Sequence, residues 1–112
     1  MGERSYTIEL RSAPANTDVT EEVLERFAAA LFDDRAIAGP APSADLRERR
    51  LEVRTCVDAT DLQAAITAAI GAFFRAAAAA GVSVDLEAIA GCIDDEGHEH
   101  DIALITCRGM LG

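Results

Sequence analysis

Both histidines of the chain sit in one acidic run, Asp94-Asp95-Glu96-Gly97-His98-Glu99-His100-Asp101. Two imidazoles spaced two apart fall on one side of an extended backbone. Imidazole together with a carboxylate is a competent ligand set for zinc, nickel or manganese. His98, His100 and Glu96 are therefore the candidate ligands of a divalent metal, the one cofactor the sequence suggests. The spacing matches no zinc-finger or metalloprotease pattern, and the plainer reading is a solvated loop between two strands whose acids face water.

A second concentration of chemistry is Arg47, Arg49, Arg50 and Arg54, four of the ten positive charges within eight residues. A guanidinium grips phosphate or carboxylate bidentately. With Arg11 from the first strand and Cys56, the residues Arg50 and Arg54 form the candidate ligand- or anion-binding set. The competing reading is structural: Asp45, Glu48 and Glu52 are interleaved with these arginines and suit cross-strand ion pairs that also guard an edge strand. Cys56 has no histidine near it in sequence, so no Cys-His nucleophile pair is indicated. No carboxylate lies in an apolar run that would raise its pKa, and no glycine-rich phosphate loop is present. No catalytic residue is assigned. Cys56, Cys92 and Cys107 are odd in number and widely spaced, which fits reduced thiols better than a disulfide framework or a CxxC site.

The elements that must position these groups follow from periodicity. Tyr6, Ile8 and Leu10 alternate with polar residues as in a half-buried strand. Asp18-Val19-Thr20-Glu21 reads as a capping box opening a helix over 19–32, with an apolar stripe of Val19, Val23, Phe27 and Leu31 flanked by Leu24, Ala28 and Phe32. The Gly- and Pro-containing stretch 33–43 predicts a loop, 44–49 a short polar edge strand, and Leu51, Val53, Thr55 and Val57 a clearer one. Thr60-Asp61-Leu62-Gln63 reads as a second capping box, opening a helix to Ala80 that stops at Gly81. Its buried stripe is expected at Leu62, Ile66, Ile70, Phe73, Phe74 and Ala77, with Gly71 marking close packing on a sheet or a partner. A strand is expected over 82–88, with apolar residues on both parities beyond it suggesting a bulge or a strand end covered on both faces. Residues 102–107 read as a further strand.

The order β-α-β-β-α-β with an extra C-terminal strand predicts an α+β fold of the ferredoxin-like split βαβ type, residues 1–112 forming one domain with both helices on one face of an antiparallel sheet. Glu9, Arg11, Glu52, Arg54, Cys56, Asp85 and Glu87 should then lie on the opposite, open face. Twenty acidic residues against ten arginines, with no lysine, put the formal charge at −10 and the pI near 4.4. That balance disfavours a nucleic-acid or anionic-membrane partner, and exposed aromatics beside the arginines, which single-stranded RNA would stack on, are absent. No secretory signal pattern opens the chain, the longest uncharged stretch falls short of a membrane span, and a cytoplasmic setting is expected.

The first functional expectation is a non-catalytic interaction or regulatory domain. It would pair with itself or with an unidentified protein through the open sheet face or through an apolar C-terminal segment, where Ile102, Leu104, Ile105, Met110 and Leu111 are the candidate interface residues. The alternatives are a small-molecule-binding protein or enzyme with a pocket at the open face of a dimeric α+β fold, and a divalent-metal module built on His98 and His100.

Overall fold

The computed structural model describes residues 3–93. They form an α+β unit with element order β1 (Arg4–Ser12), α1 (Glu21–Asp33), β2 (Ala38–Asp45), β3 (Arg50–Ala59), α2 (Leu62–Ala79) and β4 (Leu86–Ile93). The four strands make one sheet in the order β2-β3-β1-β4, with every neighbouring pair antiparallel. Each helix thus lies in a crossover that skips one strand. The expected terminal strand over 102–107, the 94–101 loop and the interface residues from Ile102 to Leu111 lie outside the described residues.

Alternation decides the faces. Tyr6, Ile8 and Leu10 of β1, and Leu51, Val53 and Val57 of β3, are buried together with Phe27 and Leu31 of α1. An edge-to-face contact between Phe27 and Phe73, ring centroids 5.3 Å apart, joins the two helices. The residues of α2 that bury are not the expected large aliphatics. Ala65, Ala69, Ala72, Ala76 and Ala77 bury with Phe73, while Leu62, Ile66, Ile70 and Phe74 flank them half-buried. An alanine face lets the helix axis come close to the sheet, and the aliphatics then close the sides of the contact. By length and composition this helix would also pass as a membrane span, a test that core helices pass too. Phe32, expected beside the α1 stripe, is instead 65% exposed.

Both helices start later than their capping boxes suggested. Thr20 caps α1 by accepting from the Val23 amide, and Asp61 caps α2 by accepting from the Ala64 amide. The residue three past each cap is thus apolar, so neither cap is reciprocated as a box requires. Gly81, at φ +81°, ends α2, its amide donating to the Ala78 carbonyl and the Val82 amide to that of Ala77.

The edge strand β2 occupies part of the expected loop. It carries Pro40 and Pro42, which edge strands tolerate because one side of their backbone needs no ladder partner. The register slips between Ala38 and Ala41 around Gly39, at φ +55°. Across that gap the buried Thr55 hydroxyl donates to the Ala38 carbonyl, replacing the missing ladder bond. The strand ends at Asp45, whose carboxylate accepts from the Glu48 amide and closes a turn over 46–49.

β4 begins at Leu86, four residues later than periodicity indicated, because the preceding run crosses the end of β1 irregularly. There the Ala13 amide donates to the Asp85 carbonyl and the Asn16 amide to that of Ser83. A bulge at Glu87, opposite Arg11 and Ser12, shifts the register, so that Leu86, Ile89 and Gly91 face the helices. Ser12, fully buried, closes this corner: its hydroxyl accepts from the Leu51 amide and donates to the Ala13 carbonyl.

The expected close approach at Gly71 is not there. A Cβ at Gly71 would meet only the exposed Arg75 guanidinium of its own helix, at 3.1 Å, whereas one at Gly91 would lie 2.9 Å from Leu62 Cδ1 and 3.0 Å from Ile8 Cδ1. The crowded glycine is therefore Gly91, hemmed in by the ends of the Leu62 and Ile8 side chains. Gly91→Ala should destabilise by about 1–3 kcal/mol through overpacking, while Gly71→Ala should be neutral or stabilise by up to about 1 kcal/mol through helix propensity. Chemical denaturation of the two variants checks the contrast, which equal losses would refute.

Arg75 also ties the helices together. Its Nε and one Nη donate to the Asp34 carboxylate at 2.9 and 3.2 Å, and the Ala36 amide donates to the same carboxylate. The Arg75 hydrogen bonds, helped by the Ala36 amide, hold the Asp34 carboxyl below its ordinary pKa. A carboxylate depressed in the folded state contributes stability above its unfolded pKa of about 3.9 and loses it as pH falls through the folded value. Arg75 is largely exposed, so the contribution is less than about 1 kcal/mol. In thermal melts across pH, Asp34→Asn should lower Tm at pH 7 and converge with the parent protein below the folded pKa of Asp34. A constant offset at all pH values would contradict this.

Candidate functional site

The helices cover one face of the sheet and leave the other without a covering element among the described residues. The centre of that open face is built by β1 and β3, whose pairing places Thr7 opposite Cys56, Glu9 opposite Arg54, and Arg11 opposite Glu52. Because side chains alternate along a strand, these six residues all project to the same side. The flanking strands contribute only small residues there: Ala41 and Ser43 on β2, Ala88 and Ala90 on β4. Together with Glu9, Arg11, Glu52 and Arg54 they line a shallow trough of about 390 Å³.

The three candidate arginines do lie on this face, and carboxylates engage each of them. Arg50 donates to Glu87 Oε2 at 2.6 Å and to the Ser12 carbonyl at 3.1 Å, and Arg11 reaches the same Glu87 oxygen at 3.5 Å. Arg54 lies 3.6 Å from Glu9 across the ladder. Arg50 and Glu87 are each about one-fifth exposed, whereas Arg11, Arg54 and Glu9 are at least half exposed. The first pair is thus partly shielded and the others are well solvated. Arg47 and Arg49 lie exposed on the 46–49 turn, away from this cluster, with Arg49 in the left-handed region at φ +58°.

These pairings favour the structural reading of the arginine cluster over a free anion cradle. One carboxylate departs from the pattern. Glu52 faces Arg11 in register, yet Arg11 turns to Glu87, and Glu52 makes no ion pair among the described residues. Cys56 is a free, half-buried thiol beside Thr7, two residues from Arg54, with no basic side chain bonded to it. Among the described residues no three His, Cys, Asp or Glu side chains group to hold a metal ion. The candidate ligands His98, His100 and Glu96 lie outside the described residues.

Sequence reasoning assigned Glu87 to the open face but missed that it gathers two arginines. The bulge that aims it there lies at Glu87, ahead of the run after Ala88 where apolar residues on both parities had suggested one. Nor did spacing reveal Ser12, whose carbonyl and hydroxyl serve Arg50 and the Leu51 amide.

Removing one partner of a partly shielded pair leaves the other under-solvated, so Glu87→Ala should cost about 1–2 kcal/mol. Arg54→Ala, which breaks only an exposed pair, should cost under about 0.5 kcal/mol. A double-mutant cycle between Glu87 and Arg50, read by denaturant unfolding, should give a coupling larger than that between Glu9 and Arg54. The reverse order would contradict the assignment of Glu87 as the organising carboxylate.

No protein-family model matches the chain, and comparison with curated proteins finds no match.

Proposed function

We propose that this chain is a non-catalytic interaction domain that associates with a second copy of itself through the open face of its sheet. The observation that carries this reading is the asymmetry of the sheet, with one face under two helices and the other presenting at its centre four charges of alternating sign, flanked by small residues of β2 and β4 and, at one end, by the Arg50–Glu87 pair. A sheet face flanked by alanine and serine admits another sheet at the usual separation of about 10 Å. The finer fold reading, a ferredoxin-like split βαβ arrangement, belongs to the same proposal. Support for it comes from the strand order β2-β3-β1-β4, antiparallel throughout, with a helix in each crossover. A cytoplasmic setting is part of the reading and suits the free thiol of Cys56.

Catalysis gains no support from this face. Its arginines are engaged by carboxylates and its thiol has no base. A small-molecule reading draws on the 390 Å³ trough, where groups of both signs converge.

Light scattering coupled to size-exclusion chromatography on the full chain should give twice the 11.8 kDa chain mass at micromolar concentration and a shift toward one chain mass on dilution. Hydrogen exchange should slow on β1 and β3 as concentration rises. A single chain mass at every concentration up to about 1 mM, a Kd limit equivalent to about −4 kcal/mol, would overturn the proposal.

A further inference from the structure

Glu9, Arg11, Glu52 and Arg54 occupy the corners of a rectangle on the open face: two successive outward positions on β1, and their direct partners on β3. Their signs alternate around it, so each charge has opposite charges along its own strand and across the ladder, and its like charge only on the diagonal. From this pattern we infer that the second copy stacks face to face with its strands aligned with those of the first, related by a two-fold axis in the sheet plane, and that the four charges exclude an orthogonal stack. The inference rests on the self-association proposed above and adds its geometry.

A two-fold parallel to the strands, between β1 and β3, lays the Glu9 of one copy over the Arg54 of the other, and Arg11 over Glu52. A two-fold perpendicular to the strands lays Glu9 over Arg11, and Arg54 over Glu52. Both operations match all four corners with opposite charges, and both give the aligned packing that stacked sheets adopt at about −30°. A diagonal two-fold, which crosses the strands near 90°, sets Glu9 on Glu9, Glu52 on Glu52 and Arg11 on Arg54. Juxtaposed like charges repel and select against that packing.

Glu52 supplies a second observation. It is the half-buried carboxylate of the rectangle that has no ion pair within its own copy among the described residues. Either aligned axis provides one, from Arg11 or Arg54 of the second copy. The area is of the right order: four strands about 4.8 Å apart and eight residues long at about 3.3 Å each present a flat footprint of roughly 500 Å², against about 800 Å² per partner in an ordinary stable interface. The charges set orientation more than affinity, since burying ion pairs gives back much of their attraction as desolvation. Arginine suits such a place because its weakly hydrated, planar group tolerates an interface.

The test uses charge exchange in the full chain, read as the dimer dissociation constant by sedimentation at low and moderate salt, with circular dichroism confirming the fold of each variant. Glu9→Arg puts like charges together under either aligned axis and should weaken the dimer at least about 10-fold. E9R/R54E restores opposition only for the axis parallel to the strands, and E9R/R11E only for the perpendicular one. One of the two should return to within about 3-fold of the parent protein while the other stays weak, and the rescuing variant identifies the axis. Should Glu9→Arg perturb the fold, Glu52→Arg serves as the initial variant, with E52R/R11E and E52R/R54E as the corresponding rescues.

A parent protein that dimerises but is indifferent to these substitutions would overturn the aligned geometry and leave self-association standing. Rescue by neither double variant, or by both, would also overturn it. A parent protein that never dimerises removes the underlying reading itself.

Discussion

The approach of α2 to the sheet is the contact on which the rest of the molecule depends. A helix that buries Ala65, Ala69, Ala72 and Ala76 sits low over the strands, low enough that β4 carries a glycine, Gly91, where Leu62 and Ile8 close in. Beside the alanine face Phe73 fills the space between the helices, edge-on to Phe27, while Ile8, Leu10, Leu51, Leu86 and Ile89 of the sheet complete the core. α1 is held against α2 through this ring pair and, at the surface, through Arg75 and Asp34. One close contact thus gathers both helices on one face, and the other face is left to serve some other purpose.

Each edge of the sheet departs once from a regular ladder. Thr55 donates to the Ala38 carbonyl where Gly39 and Pro40 shift the edge strand β2, and on the other edge β4 bulges at Glu87, while the buried Ser12 hydroxyl accepts from the Leu51 amide of β3 just past the last β1–β3 pair. Buried backbone polar groups left without partners cost about 1–3 kcal/mol each. Among the described residues no buried side-chain nitrogen or oxygen lacks a partner. The bulge has a second effect, since it turns Glu87 toward Arg50 and Arg11. With Arg11 drawn to Glu87, its register partner Glu52 has no ion pair among the described residues, and the proposed second copy would supply one.

Much of this was legible along the chain. Period-two alternation identified β1 and β3, their buried and open residues, and the charges that populate the open face. Apolar spacing with capping residues located both helices to within a few positions. The interleaving of Asp45, Glu48 and Glu52 among the arginines indicated pairing within that run, whereas the carboxylates that Arg50 and Arg54 meet are Glu87 and Glu9 of other strands. Less legible were the edge strand, hidden behind prolines that a central strand would not tolerate, the start of β4, and the buried face of α2. In the last case hydrophobicity pointed to the larger aliphatics, whereas the contact distance selected alanine.

The sequence by itself determined the fold class and the polarity of the two sheet faces, because these follow from local periodicity and residue type. Only the tertiary structure decided which carboxylate each arginine meets, which helix face packs and which glycine is crowded. Those outcomes depend on strand register and interelement distance, and a one-residue slip or a change of a few ångströms would reassign them without altering any local pattern. The charge rectangle is of this second kind. Its four residues are separated by up to 45 positions in the chain, and the antiparallel register of β1 and β3 makes them neighbours.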